Sequence, residues 1–295
     1  MNTSKSDIRK VGVVGCGLMG SGIAEVCARS GLHTLVYEVD KAALDTGRER
    51  LEQSLARAVE RGKLTAEDLE RVGASLEFTT DLEDFADRDL VIEAAPEDEE
   101  LKIGIFSTLD RVVRRPDALF ASNTSSIPIM KLGAATSRPG QVLGLHFFNP
   151  VPVLDLVELV PSLATDDAAW SKMRHFASAV LGRHVIVSQD RAGFVVNSLL
   201  VPYLLAAIRM FESGFAVARD IDEGMVRGCG HTMGPLALAD HIGLDTTLAV
   251  AESLHAEFRE PLYAPPPLLS RMVEAGNIGR KSGQGFYTYP VLENR

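Results

Sequence analysis

The pattern of apolar and polar positions changes once along the chain and divides it into two regions. In the first region, short runs rich in β-branched and aromatic residues alternate with longer stretches whose apolar residues recur at helical spacing. From Gly193 onward the apolar residues follow helical spacing alone, interrupted by Gly and Pro. Alternating strands and helices build a mostly parallel sheet with helices on both faces. We therefore predict a doubly wound α/β domain over residues 1–188 and an all-α domain over residues 189–295, with the boundary near Gln189–Ala192.

Strands of the first region are predicted where the apolar runs are continuous, because strands of a parallel sheet are buried on both faces. These runs are VGVV at 11–14, HTLVYE at 33–38, LEFTT at 76–80, DLVIEAA at 89–95, ALFASN at 118–123, QVLGLHFF at 141–148 and HVIVSQD at 184–190. Two longer stretches, Lys41–Arg61 and LKIGIFSTLDRVV at 101–113, carry apolar residues at helical spacing and are predicted as helices.

The first predicted strand ends in a glycine-rich turn. Gly15, Gly17 and Gly20 have the G-x-G-x-x-G spacing, and Leu18 and Met19 lie between the last two. In such a turn the first glycine permits the tight bend, the second lets the backbone approach a pyrophosphate, and the third brings the helix close to the strand. The N–H groups at the start of the helix then face the phosphate anion. The spacing therefore predicts a Rossmann-type dinucleotide site that includes all five residues.

An acidic residue ends the second predicted strand, at the position where the adenosine ribose of a dinucleotide is recognised. Glu38 accepts hydrogen bonds from ribose hydroxyls there and repels a 2′-phosphate, and no Arg follows it closely in EVDKAAL. This combination predicts NAD rather than NADP as the cofactor. Asp40 is an alternative partner for the ribose, and a surface carboxylate at a strand end is the competing structural interpretation.

Polar side chains also follow two later strands of the first region. The segment ASNTSS at 121–126 closes one strand, and His146 and Asn149 close the next. Ligands of doubly wound sheets bind at the carboxyl ends of the strands, so Ser125 and His146 are expected on the cofactor's side of the sheet. Glu158 follows closely enough to turn back through a loop stiffened by prolines and hold the imidazole. A histidine held by a carboxylate beside a hydroxyl is suited to general-base oxidation of an alcohol.

Composition and charge exclude several classes of protein. The chain has 295 residues, a net charge of −10 and an isoelectric point near 5.2, whereas a nucleic-acid binder carries a basic face. Its beginning, MNTSKSDIRK, lacks the apolar run of a secretory signal, and the apolar run LLVPYLLAAI is too short to span a membrane. Cys16, Cys27 and Cys229 lack metal-ligand spacing, and their odd number fits reduced thiols. We expect a cytoplasmic protein with no metal site, membrane anchor or nucleic-acid partner.

Seven ordered motifs give the chain a specific family resemblance. They are GCGLMGSGIA, SNTSS, GLHFFNPVP, LVELV, GFVVNSLLVPYL, MGPLALADHIGLDTT and GRKSGQGFYTY. With these motifs the chain resembles the L-3-hydroxyacyl-CoA dehydrogenase family, including its 3-hydroxybutyryl-CoA members, from about Ile8 to Tyr289. The resemblance implies NAD-dependent, reversible oxidation of the C3 hydroxyl of an acyl-CoA, with a short-chain substrate such as 3-hydroxybutyryl-CoA.

The resemblance also implies roles for individual residues. His146 matches the family's catalytic base, which takes the hydroxyl proton, and Glu158 matches its partner carboxylate. Ser125 and Asn197 match residues that hydrogen-bond the reacting oxygens of the substrate. The residues that match the nicotinamide side of the site are Glu97, Lys102 and Asn123.

The residues that match the family's contacts to coenzyme A lie in or just after the predicted helix Lys41–Arg61. Ser54 matches a contact to coenzyme A. Arg61 stands where some relatives carry a lysine that contacts coenzyme A, and Lys63 lies close by. Either cation is able to meet a phosphate, the arginine through two parallel hydrogen bonds and the lysine as a point charge. The choice between Arg61 and Lys63 stays open.

Two other functions are compatible with the sequence. Relatives that oxidise L-gulonate, a free hydroxy acid, share the fold and the Ser, His and Asn set, although HFFNPVP is closer to the acyl-CoA branch. The second alternative is a non-catalytic dinucleotide-binding protein. The intact set of Ser125, His146, Glu158 and Asn197 argues against it, because a protein that only binds a dinucleotide needs no base.

The second region begins with a stretch that predicts self-association. The segment GFVVNSLLVPYLLAAIRMFESG at 193–214 is apolar over more than the one stripe that a surface helix needs. A small helical domain buries such a helix best against a second copy of itself. We therefore expect a homodimer joined through the C-terminal domain, which the family resemblance also implies.

Overall fold

The computed structural model describes residues 8–290, and its first part is built around one eight-stranded sheet. The strands are β1 (Lys10–Val14), β2 (His33–Tyr37), β3 (Leu76–Thr79), β4 (Leu90–Glu93), β5 (Leu119–Ser122), β6 (Val142–Phe147), β7 (Leu156–Pro161) and β8 (His184–Val187). Their order across the sheet is β3-β2-β1-β4-β5-β6-β7-β8. The order reverses between β1 and β4, and ligands of such sheets bind in the crevice that this reversal leaves at the carboxyl ends of the strands.

Neighbouring strands are parallel throughout, except for the pair β6 and β7. The predicted class, a mostly parallel doubly wound sheet, is confirmed. The apolar runs predict seven of the strands, including the one that contains His146, but the prediction that Glu158 is reached through a loop is wrong. His146 lies within β6, and Glu158 lies within β7. The apolar runs did not predict β7, because Glu158 interrupts its apolar residues.

Helices cover the two faces of the sheet. They are α1 (Leu18–Arg29), α2 (Lys41–Glu60), α3 (Ala66–Ala74), α4 (Glu99–Val112), α5 (Ile129–Ala134) and α6 (Asp167–His175). Carboxylates begin two of them: Asp40 accepts a hydrogen bond from Ala43 N at 2.8 Å, and Asp98 accepts one from Leu101 N at 2.7 Å. These bonds satisfy N–H groups that have no partner inside the helix. The acidic run EDEE at 97–100 therefore contains the cap of α4.

The core of the first unit lies between β1 and α1. Val11 and Val13 are fully buried, and they share one apolar cluster with Ile23 of α1. On β1, a Cβ added to Gly12 would lie 2.3 Å from the ring of Phe85, so the ring occupies the space that a side chain would need. Full burial of each large apolar side chain contributes about 1.5–3 kcal/mol. This packing fixes the position of β1 relative to α1, and therefore the position of the glycine-rich turn that joins them.

The chain divides into two compact units between Arg191 and Ala192, which lies within the stretch Gln189–Ala192 where the sequence places the boundary. The second unit contains the helices α7 (Val196–Glu212), α8 (Ala218–Cys229), α9 (Pro235–Ile242), α10 (Leu244–Phe258) and α11 (Pro267–Glu274). Its regular structure within 192–290 is helical apart from isolated bridges, as predicted. Within residues 8–290, no helix is both long enough and apolar enough to cross a membrane.

A buried carboxylate holds the last described segment of the second unit. Asp240 accepts hydrogen bonds from Phe286 N at 3.0 Å, Tyr287 N at 2.9 Å and the Tyr289 hydroxyl at 3.0 Å. Burial raises the pKa of Asp240 above its ordinary value in spite of these bonds. Hydrogen bonds to Asp240 therefore hold the motif GRKSGQGFYTY against α9.

Candidate active site

Two of the three glycines in the turn after β1 are required by the protein itself. Gly15 has φ +95° and donates its N–H to Tyr37 O at 2.9 Å. A Cβ at Gly15 would lie 2.7 Å from Ala94 O, and a Cβ at Gly20 would lie 1.8 Å from Gly15 O. No other residue fits these two positions, because a side chain at either one would overlap the backbone.

Gly17 is different, because the protein leaves open space around it. A Cβ built at Gly17 would meet no atom within 4 Å, and its φ of −65° is open to any residue. Gly17 begins α1, whose first turn carries neither a side-chain cap nor an acidic residue. The first N–H groups of α1 and the open space beside them fit a pyrophosphate. The next two residues lie beside this space, Leu18 largely exposed and Met19 packed against the core.

Glu38 stands at the glycine-rich turn, whereas Asp40 is used elsewhere. The Glu38 carboxylate accepts hydrogen bonds from Cys16 N at 2.7 Å and from Val39 N at 3.1 Å. Asp40 caps α2 through its bond to Ala43 N. Of the two acids that the sequence offers for the ribose, Glu38 is therefore the one whose position fits the role.

His146 and Glu158 lie directly opposite each other in the antiparallel pair of β6 and β7. Side chains of opposed residues lie on the same face of a sheet. His146 Nδ1 is 2.7 Å from Glu158 Oε2, and the two residues are 6% and 0% exposed. The ring of Phe148 meets the imidazole edge-on, with 4.7 Å between the ring centroids. Strand register, rather than a loop that turns back, brings the carboxylate to the imidazole.

The connection between β6 and β7 packs against α1. A Cβ added to Gly22 of α1 would lie 2.9 Å from Val151 Cβ, so the helix and the connection are in direct contact at this glycine. Val151 is 1% exposed. The proline-containing segment therefore fixes the ends of β6 and β7 against the helix that begins at the cofactor turn.

Asn123 joins the end of β5 to the end of β6. Its Oδ1 accepts a hydrogen bond from Phe147 N at 2.8 Å, and its N–H donates to Glu93 O at 2.8 Å. Ser125 follows in the same loop, and its N–H donates to Glu97 Oε1 at 3.1 Å. These bonds hold the loop backbone one residue away from His146 along β6 and leave the Ser125 hydroxyl outside this set of bonds.

Lys102 lies beneath that loop, buried between two carboxylates. Its Nζ is 2.6 Å from Glu93 Oε1 and 3.3 Å from Glu97 Oε2, and the residue is 1% exposed. Burial alone would raise the pKa of Glu97, but the Lys102 charge and hydrogen bonds from the loop bring that pKa below its ordinary value. In this structure the ammonium acts on the site through Glu97. Direct contact of Glu97 or Lys102 with the cofactor stays a prediction.

The residues predicted to meet coenzyme A lie on and just after α2. Ser54 is half-buried on the helix, and Arg61 and Lys63 are exposed after its end. Arg50 and Arg57 lie on the same side of the helix as Ser54, since three- and four-residue steps share one helical face. Arg50 also donates a hydrogen bond to Cys16 O at 3.1 Å. Arg50 and Arg57 therefore add two cations to the face of α2 that carries Ser54.

Asn197 and His231 belong to the second unit. Asn197 is half-buried in the first turn of α7, and its approach to a substrate stays a prediction. His231, which lies in a glycine-rich turn, has its Nδ1 3.0 Å from the hydroxyl of Tyr203, and the two rings meet edge-on. This contact gives His231 a structural role within its own unit.

Two family models match the chain one after the other. The model of the 3-hydroxyacyl-CoA dehydrogenase NAD-binding domain matches residues 10–191, and the model of the C-terminal domain of 3-hydroxyacyl-CoA dehydrogenase matches residues 193–289. The chain belongs to the 3-hydroxyacyl-CoA dehydrogenase family. The resemblance stated from the seven motifs and the choice of NAD are confirmed.

Members of the 3-hydroxyacyl-CoA dehydrogenase family resemble the chain over nearly their whole length. A 3-hydroxybutyryl-CoA dehydrogenase of Mycobacterium tuberculosis is 60% identical over 282 residues, which cover 96% of this chain and 99% of the relative. The crystal structure of M. tuberculosis FadB2 matches with a TM-score of 0.94 and 60% identity, over 96% of this chain and 99% of that one. The (S)-3-hydroxybutyryl-CoA dehydrogenase PaaH1 from Ralstonia eutropha matches with a TM-score of 0.90 and 44% identity, with the same coverage of 96% and 99%.

Alanine at Gly17 and at Gly20 should separate the needs of the fold from those of NAD. Gly20→Ala places a Cβ onto Gly15 O, so we expect it to lower the stability of the first unit by about 1–3 kcal/mol or more. Gly17→Ala meets no protein atom, so the fold should be unchanged while the methyl group obstructs the pyrophosphate. Thermal unfolding without cofactor and a fluorescence titration with NADH measure the two effects. An unchanged NADH affinity in Gly17→Ala would contradict the assignment of this turn.

Proposed function

We propose that this protein catalyses the NAD-dependent, reversible oxidation of L-3-hydroxyacyl-CoA to 3-ketoacyl-CoA, with 3-hydroxybutyryl-CoA as a short-chain substrate. The observation that carries the proposal is the buried pair of His146 and Glu158 in the NAD-binding domain of this family. The relatives named 3-hydroxybutyryl-CoA dehydrogenase, up to 60% identical over nearly the whole chain, support the short acyl chain.

The pair of His146 and Glu158 provides a base with a defined proton position. Glu158 Oε2 accepts a hydrogen bond from Nδ1–H of His146, so Nε2 carries the lone pair that takes the proton of the substrate hydroxyl. NAD, when bound, supplies the acceptor for the hydride that leaves C3. The imidazole becomes a cation as it takes the proton, and the buried carboxylate stabilises that cation. In the reverse direction the imidazolium returns the proton to the oxygen of the ketone.

The remaining site residues hold the substrate and the cofactor. Ser125 and Asn197 are proposed to hydrogen-bond the reacting oxygens. Asn123, Glu97 and Lys102 are proposed to shape the nicotinamide side, and the glycine-rich turn with Glu38 binds the rest of NAD. Ser54 on α2, together with Arg61 or Lys63, is proposed to meet coenzyme A, because its phosphates need cationic partners.

The second unit is proposed to join two copies of the chain. Leu199, Tyr203, Ala206 and Met210 recur at steps of three and four along α7, and they form one stripe of the helix. Leu199 is 73% exposed, and Phe215 after the helix is 79% exposed. Exposed apolar residues arranged in this way mark a surface that associates.

A reducing compartment is the proposed location. Within residues 8–290 the three cysteines are unpaired, and only Cys229 is exposed. Burial raises the pKa of Cys16 to about 11 and that of Cys27 to about 12, so both thiols stay protonated and unreactive at neutral pH. These properties fit the cytoplasm.

Removal of the imidazole or of its partner charge should damage the same chemical step. His146→Gln is expected to lower kcat by about 10²–10⁴, the usual contribution of a positioned acid–base group, while NADH binding persists. Glu158→Gln keeps the shape but removes the charge, so it should also lower kcat, and the double mutant should be far from additive. Oxidation should accelerate with rising pH and reduction should slow, because they need the neutral and the protonated imidazole respectively.

Steady-state rates in both directions across a pH series measure this prediction. His33→Gln is the matched control, since His33 is exposed at the start of β2. A wild-type kcat and pH profile in Glu158→Gln would show that the pair has a structural role only.

A substrate panel should separate coenzyme A thioesters from free acids. NADH oxidation is expected with acetoacetyl-CoA and not with free acetoacetate, and NAD reduction is not expected with L-gulonate. Across 3-ketoacyl-CoAs of rising length, kcat/KM should be highest for the shortest chains.

Loss of the cation that meets coenzyme A should raise KM on the order of tenfold, as expected for a hydrogen bond to a charged group.

Arg61→Ala and Lys63→Ala test which of the two cations makes this contact. Arg48→Ala is the control, because Arg48 is paired with Glu52 at 2.8 Å on the other side of α2. Equal turnover of the free acid and its thioester would contradict the acyl-CoA assignment and favour the hydroxy-acid alternative.

Light scattering at micromolar concentration should report a dimer, with twice the chain mass of 31.9 kDa. Met210→Lys places a charge in the stripe on α7, so it should shift the mass toward that of one chain. A monomeric mass for the wild type would rule the proposed assembly out.

A further inference from the structure

A buried carboxylate lies one layer behind the residues assigned to the reaction. Glu93, at the end of β4, is fully buried. Its Oε1 accepts hydrogen bonds from Ala95 N at 2.6 Å and Lys102 Nζ at 2.6 Å, and its Oε2 accepts one from the Ser122 hydroxyl at 2.5 Å. Glu93 is thus bound to three different segments, at the ends of two neighbouring strands and on α4.

The charges continue from Glu93 toward the loop that carries Ser125. Lys102 reaches Glu97 Oε2 at 3.3 Å. Glu97 Oε1 then accepts hydrogen bonds from the Thr124 hydroxyl at 2.5 Å, the Ser126 hydroxyl at 2.8 Å and Ser125 N at 3.1 Å. One carboxylate oxygen therefore fixes three consecutive residues of the loop.

Thr124 is the centre of this attachment on the loop side. It is 1% exposed, and its hydroxyl donates to Glu97 while it accepts from Ser126 N at 3.2 Å and Ile127 N at 2.9 Å. The side chains of Thr124 and Glu93 are both buried, and the hydrogen bonds described for them go to other residues of the protein. Both act only on residues that hold the loop.

Each charge in this row depends on the next. A buried ammonium keeps its proton only beside a carboxylate, and a buried carboxylate stays ionised only beside a cation or several donors. Glu93 and Glu97 hold Lys102 between them, and the Lys102 charge, together with the donors of the loop, keeps the pKa of Glu97 below its ordinary value. A protonated Glu97 would be a weaker acceptor for the three loop donors, so the loop would be held less firmly.

We propose that Glu93 and Thr124 are positioning residues for the dehydrogenase reaction. Through Lys102 and Glu97 they fix the loop 123–126, which places Ser125 and, through the bond from Phe147 N to Asn123 Oδ1, the end of β6 beside His146. This role rests on the proposed function, because it concerns the placement of groups that act on the 3-hydroxyacyl substrate.

Thr124→Val and Thr124→Ser form a matched pair for the test. Valine keeps the shape of threonine and removes the hydroxyl, whereas serine keeps the hydroxyl. With acetoacetyl-CoA and NADH, Thr124→Val should lower kcat by up to roughly a hundredfold, the loss that a misplacement of about 1 Å can cause. Thr124→Ser should recover most of that loss. The thermal unfolding midpoint of each variant shows whether it is folded.

A double-mutant cycle tests whether Thr124 acts through Glu97. The effects of Thr124→Val and Glu97→Gln should be far from additive, because the first removes the bond between Thr124 and Glu97 and the second weakens it. Thr124→Val and Arg61→Ala share no partner, so their effects on kcat/KM should add. Additive effects of Thr124→Val and Glu97→Gln would overturn the proposed route.

The pH profile tests Glu93, which lies furthest from the reaction. Glu93→Gln removes a neighbouring negative charge and leaves Lys102 paired with Glu97, so Glu97 should take a proton at a lower pH than in the wild type, whereas Thr124→Val removes a hydrogen-bond donor and should raise that pH. Because reduction needs the protonated imidazole of His146, the proposed chemistry makes the reduction rate rise toward low pH. A fall of the reduction rate at low pH would therefore report protonation of a carboxylate, which we expect to be Glu97. That loss should begin at a lower pH in Glu93→Gln and at a higher pH in Thr124→Val than in the wild type.

The outcomes for positioning and for function are distinguishable. Wild-type turnover of acetoacetyl-CoA, with wild-type kcat, KM and pH profile in folded Glu93→Gln and Thr124→Val, would overturn the positioning role alone. If Glu93→Gln does not fold, the Thr124 pair and its cycle decide the question. Absence of wild-type turnover would overturn the proposed function and the positioning role with it.

Discussion

The hydrogen bonds between neighbouring strand ends form the constraint on which the site depends. At the carboxyl edge of the sheet, Ala94 N donates to Val14 O and Asn123 N donates to Glu93 O, both at 2.8 Å. The next step is made by a side chain, as Phe147 N donates to Asn123 Oδ1 at 2.8 Å. The glycine-rich turn, the loop after β5 and the end of β6 are therefore joined by one continuous series of hydrogen bonds. These bonds fix their relative positions.

Burial sets the second condition, because charges removed from water need partners at hydrogen-bond distance. His146 and Glu158 meet this condition across one pair of strands, and Lys102 meets it between Glu93 and Glu97. Both groups lie toward the edge of the sheet that is formed by the carboxyl ends of β4, β5 and β6. Burial strengthens the interactions between these charged groups. It also makes the loss of a single partner costly, because the remaining charge would be buried without a partner.

Periodicity revealed those parts of the fold whose residues repeat. Seven strands, α2 and α4 were visible as apolar runs and helical spacing, and the turn after β1 was visible from the spacing of its glycines, two of which the backbone requires. The strand β7 was not visible, since Glu158 interrupts its apolar residues. The family resemblance selected Glu97 and Lys102 as site residues, but it did not show that Lys102 is buried beneath Glu97.

The sequence by itself determined the doubly wound class, the helical second unit, the dinucleotide turn and the two residue types proposed as a base and its partner. Local spacing encodes these features, because each depends on residues that are near one another in the chain. Only the tertiary structure decided that His146 faces Glu158 through antiparallel register, that Glu38 rather than Asp40 stands at the turn, and that one carboxylate holds three residues of the loop. Such pairings join residues far apart in sequence, and their register depends on how the whole sheet packs.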